Sequence, residues 1–169
     1  WTSDEMMTIA AARLLWDGAV CFVGIGLPSA AANLARLTHA PNTVLIYESG
    51  TIGTKPEVLP LSIGDGELAD TATVVVPLPE IFTYWLQAGR IDVGFLGAAQ
   101  VDRFGNLNST VIGPYDRPKT RLPGAGGAQQ VGGDLEGGVG GRDAAVDRPL
   151  HERFLDLLDG HAVLDRRPA

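Results

Sequence analysis

Polar and apolar residues change period along this chain, and the changes mark its elements. Thr2 and Glu5 stand three apart before an Ala-rich apolar run, the spacing of a capping box. They predict a helix from about Ser3 to Trp16, closed near Gly18. "AVCFVGIG" (19–26) is a continuous apolar run with β-branched and aromatic residues, ending in glycines, and reads as a buried strand. "LPSAAANLARLTHA" (27–40) follows, with Pro28 suited to the first helical turn and small residues that let a helix lie close to a sheet. Pro41 and Asn42 break the chain before a second strand, "TVLIYE" (43–48). Strand, helix and strand with short links form a βαβ unit, so the two strands are expected to be parallel.

From Gly50 to Asp70 the chain is rich in Gly, Pro and Leu without clear periodicity and reads as a long functional loop with irregular pieces. "TATVVVP" (71–77) predicts a third strand. "PLPEIFTYWLQAGR" (77–90) places Ile81, Tyr84, Trp85 and Ala88 on one helical face, ending before Gly89. "IDVGFLGAAQVD" (91–102) predicts another strand, and "RFGNLNST" (103–110) a turn built on Gly105 and Asn106. The alternation gives an α/β fold: an open, mainly parallel sheet flanked by helices. Residues 1–128 read as one α/β domain.

Residues 129–169 differ. They carry paired glycines and scattered Asp and Arg, and only "HERFLDLLDGHAVL" (151–164) has the pattern of a short amphipathic helix. Two readings stand: a flexible linker with a terminal helix, or a frameshifted or truncated end that leaves the sheet incomplete at its C-terminal side. An uninterrupted reading frame, confirmed by the intact mass, would exclude the frameshift.

Composition narrows the function. The 169 residues are 45% hydrophobic and 20% charged, enough for one domain with a sizeable core. A net charge of −7 without any basic run argues against non-specific binding to nucleic acid or an anionic membrane. No segment approaches the ~18 apolar residues of a membrane helix. The start lacks the basic region of a signal peptide, so none is expected, and Trp1 in place of Met reads as a processed, trimmed or late-placed start. A cytoplasmic location is expected. The one cysteine, Cys21, excludes an internal disulfide framework and reads as a small buried hydrophobe. His39, His151 and His161 are scattered, and no metal-ligand spacing occurs. His39 falls near the end of the second helix, where partial positive charge is favoured.

Four stretches carry candidate chemistry. "GIGLPS" (24–29) follows a strand and opens a helix, as a phosphate-binding turn does. Glu48 lies 22 residues after Gly26 at the end of the next strand, where a dinucleotide fold keeps its ribose-binding acid. Against that reading, Ser29 stands in place of the third glycine and Pro28 fills the turn; a plain strand-to-helix turn fits equally. Glu48 itself, followed by Ser49–Gly50, is either an exposed strand-end acid or a carboxylate projected into the crevice at the carboxyl ends of parallel strands. "GAGGA" (124–128) is either a flexible turn or a nest of backbone N–H groups able to hold an oxyanion. "GAAQVDRFGNLNST" (97–110) offers Gln100, Asp102, Asn106 and Asn108 beside a strand end, though Asn106 alone reads as a turn former.

Taken together, "VGIGLPSAAANLA", "IYESG", "GAAQVDRFGNLNST" and "IGPYDRPKTRLPGAGGA" resemble the β subunit of class I CoA-transferases, the glutaconate CoA-transferase type above all. The match runs in order from about Glu5 to Ala128. Glu-Ser-Gly alone is weak, but with the two downstream blocks it is specific. The resemblance implies the fold of that family, related to the NagB and RpiA proteins. It also implies that Glu48 attacks an acyl-CoA thioester and then carries CoA as a glutamyl thioester. On the same ground Gly126 and Gly127, with Gly124, are implied at the oxyanion, and Gly26, Gln100 and Asn106 at the substrate. Coenzyme A is then a substrate and no permanently bound cofactor is expected. A homologous α subunit is implied as partner, with an acyl-CoA and a carboxylic acid as substrates. Water must be kept out, since anhydride and thioester both hydrolyse; the loop after Gly50 is a candidate cover. A thioester hydrolase on the same scaffold and an inactive truncated subunit remain as alternatives.

Overall fold

The computed structural model describes residues 1–97, 100–101, 107–108, 110–122 and 161–165. The expected capping box opens α1 (Ser3–Ala12): Thr2 Oγ1 accepts from the Glu5 N–H at 3.2 Å, and Glu5 Oε2 accepts from the Thr2 N–H at 2.7 Å. The helix stops at Ala12 rather than Trp16. Leu14 and Leu15 bond back only three residues, to Ala11 and Ala12, and this tighter turn delivers Leu15 into the core.

β1 (Val20–Val23), α2 (Leu27–Thr38) and β2 (Val44–Ile46) form the expected βαβ unit. β1 pairs parallel with β2, Phe22 beside Ile46. β5 (Val93–Gly97) lies parallel on the other side of β1, Val23 beside Phe95. The flanks of this parallel centre are antiparallel. β3 (Thr51–Ile52) folds back on β2, and β4 (Val74–Val75) pairs with β3. The expected strand over 71–77 is therefore a two-residue exposed edge rather than part of the parallel centre. β10 (His161–Asp165) pairs antiparallel with β5. The six-stranded sheet thus runs in the order β10, β5, β1, β2, β3, β4. The pairing of β10 corrects the helix expected over 151–164: its last residues are a strand, drawn into the sheet by β5's open edge, and 151–160 lie outside the described residues.

Alternation along the central strands builds two cores. Cys21, Val23, Leu45, Tyr47, Val93 and Phe95 face α1 and α2. Ala31, Ala32 and Ala35 of α2 are buried there, and their short side chains bring the helix down onto the sheet. Phe22, Ile46, Ile52 and Leu96 face the opposite side, against Ile81 and Leu86. That second layer is not the helix expected. α4 (Leu78–Glu80) passes into a π-helical stretch, Ile81–Leu86, in which Gln87 N–H reaches Phe82 O at 2.8 Å. Bonds to the fifth residue lengthen the period, so Ile81 and Leu86 share the buried face while Tyr84 and Ala88 are exposed.

The stretch from Gly50 to Asp70 holds β3, a loop and the short helix α3 (Gly66–Asp70), which buries Leu68. The small sheets β6 (Gln100–Val101) with β7 (Leu107–Asn108), and β8 (Val111–Ile112) with β9 (Thr120–Arg121), complete the described elements.

Candidate active site

Parallel pairing sets the site. Phe22 lies beside Ile46, so the turn after β1, with Gly24 and Gly26, and the turn after β2, with Glu48, emerge at the same edge of the sheet. This is the carboxyl edge, where open parallel sheets bind ligands. β5 ends there too: Gly24 N–H donates to Phe95 O at 2.7 Å, and the chain continues from Gly97 toward Gln100.

Glu48 occupies a tight turn. Gly50 N–H donates to Tyr47 O at 3.1 Å, and Tyr47 N–H to Thr51 O at 3.0 Å, so Glu48 and Ser49 form the tip of the β2–β3 hairpin. Both are half-buried. The turn demands glycine at its close. Gly50 has φ +107°, and a Cβ there would drive into the Val76 carbonyl oxygen. Val76 N–H donates in turn to Gly50 O at 2.9 Å, which pins the hairpin to the start of the segment after β4. The Ser49 Oγ is buried and has no hydrogen-bond partner among the described residues.

Gly26 caps α2 with φ +85°, a conformation that favours glycine, and a Cβ on it would meet nothing within 4 Å. The requirement there is backbone conformation rather than space. Ser29, three residues on, is buried. Its Oγ donates to Gly24 O at 3.0 Å and lies 3.0 Å from the Tyr47 hydroxyl. With one proton on each oxygen and that of Ser29 spent on Gly24, Tyr47 is the donor of the second bond. Burial, above all, raises the Tyr47 phenol above its ordinary pKa, opposed by its bond to Ser29. Asn33 Nδ2 donates to Ser29 O at 2.9 Å, and Arg36 bridges Asn33 Oδ1 to Pro56 O.

The loop after β3 runs away from this turn. Gly53 and Thr54 N–H groups bond Leu45 O, and Pro56 meets Arg36, ten residues and about 15 Å along α2 from Gly26. The described loop therefore leads toward the opposite edge of the sheet rather than over Glu48. Gln100 is exposed, and its Oε1 accepts from Asn108 Nδ2 at 2.7 Å, a bond that ties β6 to β7. The structure thus brings Glu48 and Gly26 to neighbouring turns and leaves Gln100 beyond the end of β5. Asn106, Gly124, Gly126 and Gly127 lie outside the described residues. Sequence reasoning passed over Tyr47 and counted Ser29 only as a missing glycine. The available signal was a tyrosine in a buried strand, whose hydroxyl must find a partner.

Cys21 is fully buried, and burial, then Asp92, push its thiol pKa up. Among the described residues no cluster of three or more His, Cys, Asp or Glu side chains is placed to hold a metal ion. Among them, too, no helix is long and apolar enough to cross a membrane.

Residues 4–132 match the family described as Coenzyme A transferase. The chain belongs to the coenzyme A transferase family. It is 75% identical to the β subunit of 3-oxoadipate CoA-transferase from Pseudomonas knackmussii, over 94% of its own length and 59% of that protein's. An alignment of that extent continues well past Ala128. The β subunit of glutaconate CoA-transferase from Acidaminococcus fermentans is 38% identical over 78% of this chain and 51% of that one. The crystal structure of glutaconate coenzyme A-transferase from the same organism superposes with a TM-score of 0.73 at 34% identity, covering 80% of this chain and 54% of that one. The chain therefore spans only a little over half the length of these relatives.

Proposed function

We propose that this chain is the β subunit of a heteromeric CoA-transferase and that Glu48 is its covalent nucleophile. The supporting observation is the Glu48 turn, fixed at the carboxyl edge of the sheet beside the Gly24–Gly26 turn, in a chain of this family. A Glu48 oxygen attacks the thioester carbonyl of an acyl-CoA, and CoA leaves as its thiolate, giving an acyl–glutamyl anhydride. The thiolate then attacks the glutamyl carbonyl and expels the donor's carboxylate, leaving CoA on Glu48. An acceptor carboxylate reverses both steps and departs as the new acyl-CoA. Each activated intermediate conserves the thioester's energy, which is what covalent catalysis by a carboxylate requires.

Backbone N–H groups of Gly126 and Gly127, with Gly124, are assigned to the oxyanion. Gly26, Gln100 and Asn106 are assigned to substrate contacts. Coenzyme A is a substrate, with no cofactor held permanently. A homologous α subunit supplies the rest of the site. Both relatives are themselves named as single subunits of their enzymes, which supports a heteromeric assembly. Both are also named for dicarboxylates, so the acyl group and acceptor are proposed to be dicarboxylic, with 3-oxoadipate first, given the 75% identity. The chain's location is proposed to be cytoplasmic. Residues 129–169 are proposed to be an atypical tail, frameshifted or truncated, since the family match ends at residue 132. An uninterrupted reading frame through this stretch, confirmed by the intact mass, would refute it.

The test is co-expression with the α subunit and transfer of CoA from glutaryl-CoA to 3-oxoadipate. Glu48→Ala is expected to abolish transfer in an assembled complex. Transfer undiminished by that change removes Glu48 from the chemistry. CoA released at full rate without any acceptor assigns the complex to thioester hydrolysis instead.

A further inference from the structure

We propose that Tyr47 and Ser29 are a positioning couple that sets the Glu48 carboxylate in register with the Gly24–Gly26 turn. This rests on Glu48 being the nucleophile. Tyr47 is the last residue before it, and its side chain is wholly buried against α2. The bonds run without a gap from Tyr47 O–H to Ser29 Oγ at 3.0 Å, from Ser29 O–H to Gly24 O at 3.0 Å, and from Gly24 N–H to Phe95 O at 2.7 Å. They link the ends of all three parallel strands. Ser29 is fully buried, and its Oγ is held by the bond to Gly24 O as well as by the one to Tyr47.

On the far side of the turn, Gly50 is held by Val76. Glu48 and Ser49 are thus strung between two fixed points, one made by a side-chain hydroxyl and one by the backbone. The chemistry gives this a purpose. The same side chain must attack one carbonyl and then present its own to a thiolate, each within roughly 3–3.5 Å of its partner. A phenylalanine at position 47 would fill the same space, so packing alone does not require the hydroxyl. A buried hydroxyl is costly unless bonded, and this one is spent on joining the two turns.

The experiment follows the first half-reaction in the assembled complex. Glutaryl-CoA is added without acceptor, the reaction is quenched at intervals, and the CoA-bearing peptide that contains Glu48 is quantified. Net, the Glu48 carboxylate and acyl-CoA give the Glu48–CoA thioester and free glutarate. Tyr47→Phe leaves the Ser29 bond to Gly24 intact, so the fold is expected to persist. It should slow attachment by about 10- to 100-fold while KM for glutaryl-CoA holds. Ser29→Ala breaks the same link from the other end and should slow attachment likewise. The double variant should be no slower than the worse single one, since one chain of bonds is lost in each. Ile81→Val, on the opposite face of the sheet, trims the core without touching the link and should label at the unaltered rate.

Attachment by Tyr47→Phe at the wild-type rate overturns the proposal, as does equal slowing by Ile81→Val. If wild-type complex acquires no CoA on Glu48 at all, the nucleophile assignment itself falls, whatever Tyr47 does.

Discussion

Replacing Gly50 by alanine perturbs the Glu48 turn at the point where two constraints coincide. The residue has φ +107°, and an added Cβ would meet the Val76 carbonyl oxygen and, at 3.1 Å, the carbonyl carbon. Holding an ordinary residue in such a conformation costs about 1–3 kcal/mol. The clash also forces apart the 2.9 Å bond from Val76 N–H to Gly50 O, a further loss of about 0.5–1.5 kcal/mol. Together these come to roughly 1.5–4.5 kcal/mol, or a fall in Tm of about 3–18 °C for a domain of this size. Two other glycines separate the causes. Gly26→Ala meets strain without any clash, so it should lose only the first contribution. Gly66→Ala, with open space and no positive φ at the first position of α3, should be neutral or slightly stabilising. Thermal melts of the three variants read stability, and CoA transfer in the complex reads the turn. Gly50→Ala should lose roughly 100-fold in transfer, the cost of displacing a reacting group by about 1 Å. If Gly50→Ala melts with Gly66→Ala and transfers CoA normally, the account of a glycine-locked turn is wrong.

Other outcomes follow from the same geometry. Leu86→Ala should destabilise by about 2–5 kcal/mol, whereas Tyr84→Ala should stay within about 0.5 kcal/mol; chemical denaturation that reverses this order would remove the π-helical register. Cys21, buried with its thiol pKa raised, should resist iodoacetamide in the native chain and react once unfolded, and rapid native labelling would contradict its burial. The Asp17 carboxyl lies below its ordinary pKa of 3.8 because Asn42 donates to it from side chain and backbone. A depressed carboxyl stabilises the fold above its unfolded value and loses that contribution as pH falls through the folded one. Asp17→Ala should therefore be less stable than wild type at neutral pH, with the gap closing below pH 3.8; a gap constant across that range refutes it.

What could be read in the sequence depended on how far each signal reaches along the chain. β1, α2 and β2 were legible because long apolar runs, Pro28 and the glycines mark them locally. β3 was not, since a strand of two residues carries no period and exists only by pairing with β2 across the Gly50 turn; β4 was legible as a strand within 71–77, but its shortness and its antiparallel place at the sheet edge were not. The π-helical stretch shifts the buried partner of Ile81 to Leu86, a register that residue spacing at 3.6 per turn cannot anticipate. His161–Asp165 becomes a strand through contact with β5, more than sixty residues earlier in the chain. At the site, the Glu-Ser-Gly turn was visible as a motif, and the structure supplies the reason for its glycine. The Tyr47–Ser29 bond joins residues 18 apart and needs the parallel register before it exists.

The central claim is that CoA passes through a thioester on Glu48. Borohydride reduction of the complex after acyl-CoA treatment, followed by peptide mapping, tests it most directly, because borohydride converts a glutamyl thioester to an alcohol and spares free carboxylates. Reduction is expected at Glu48 alone, dependent on acyl-CoA and suppressed by an acceptor acid. Reduction at any other residue, or none after acyl-CoA treatment, would contradict it.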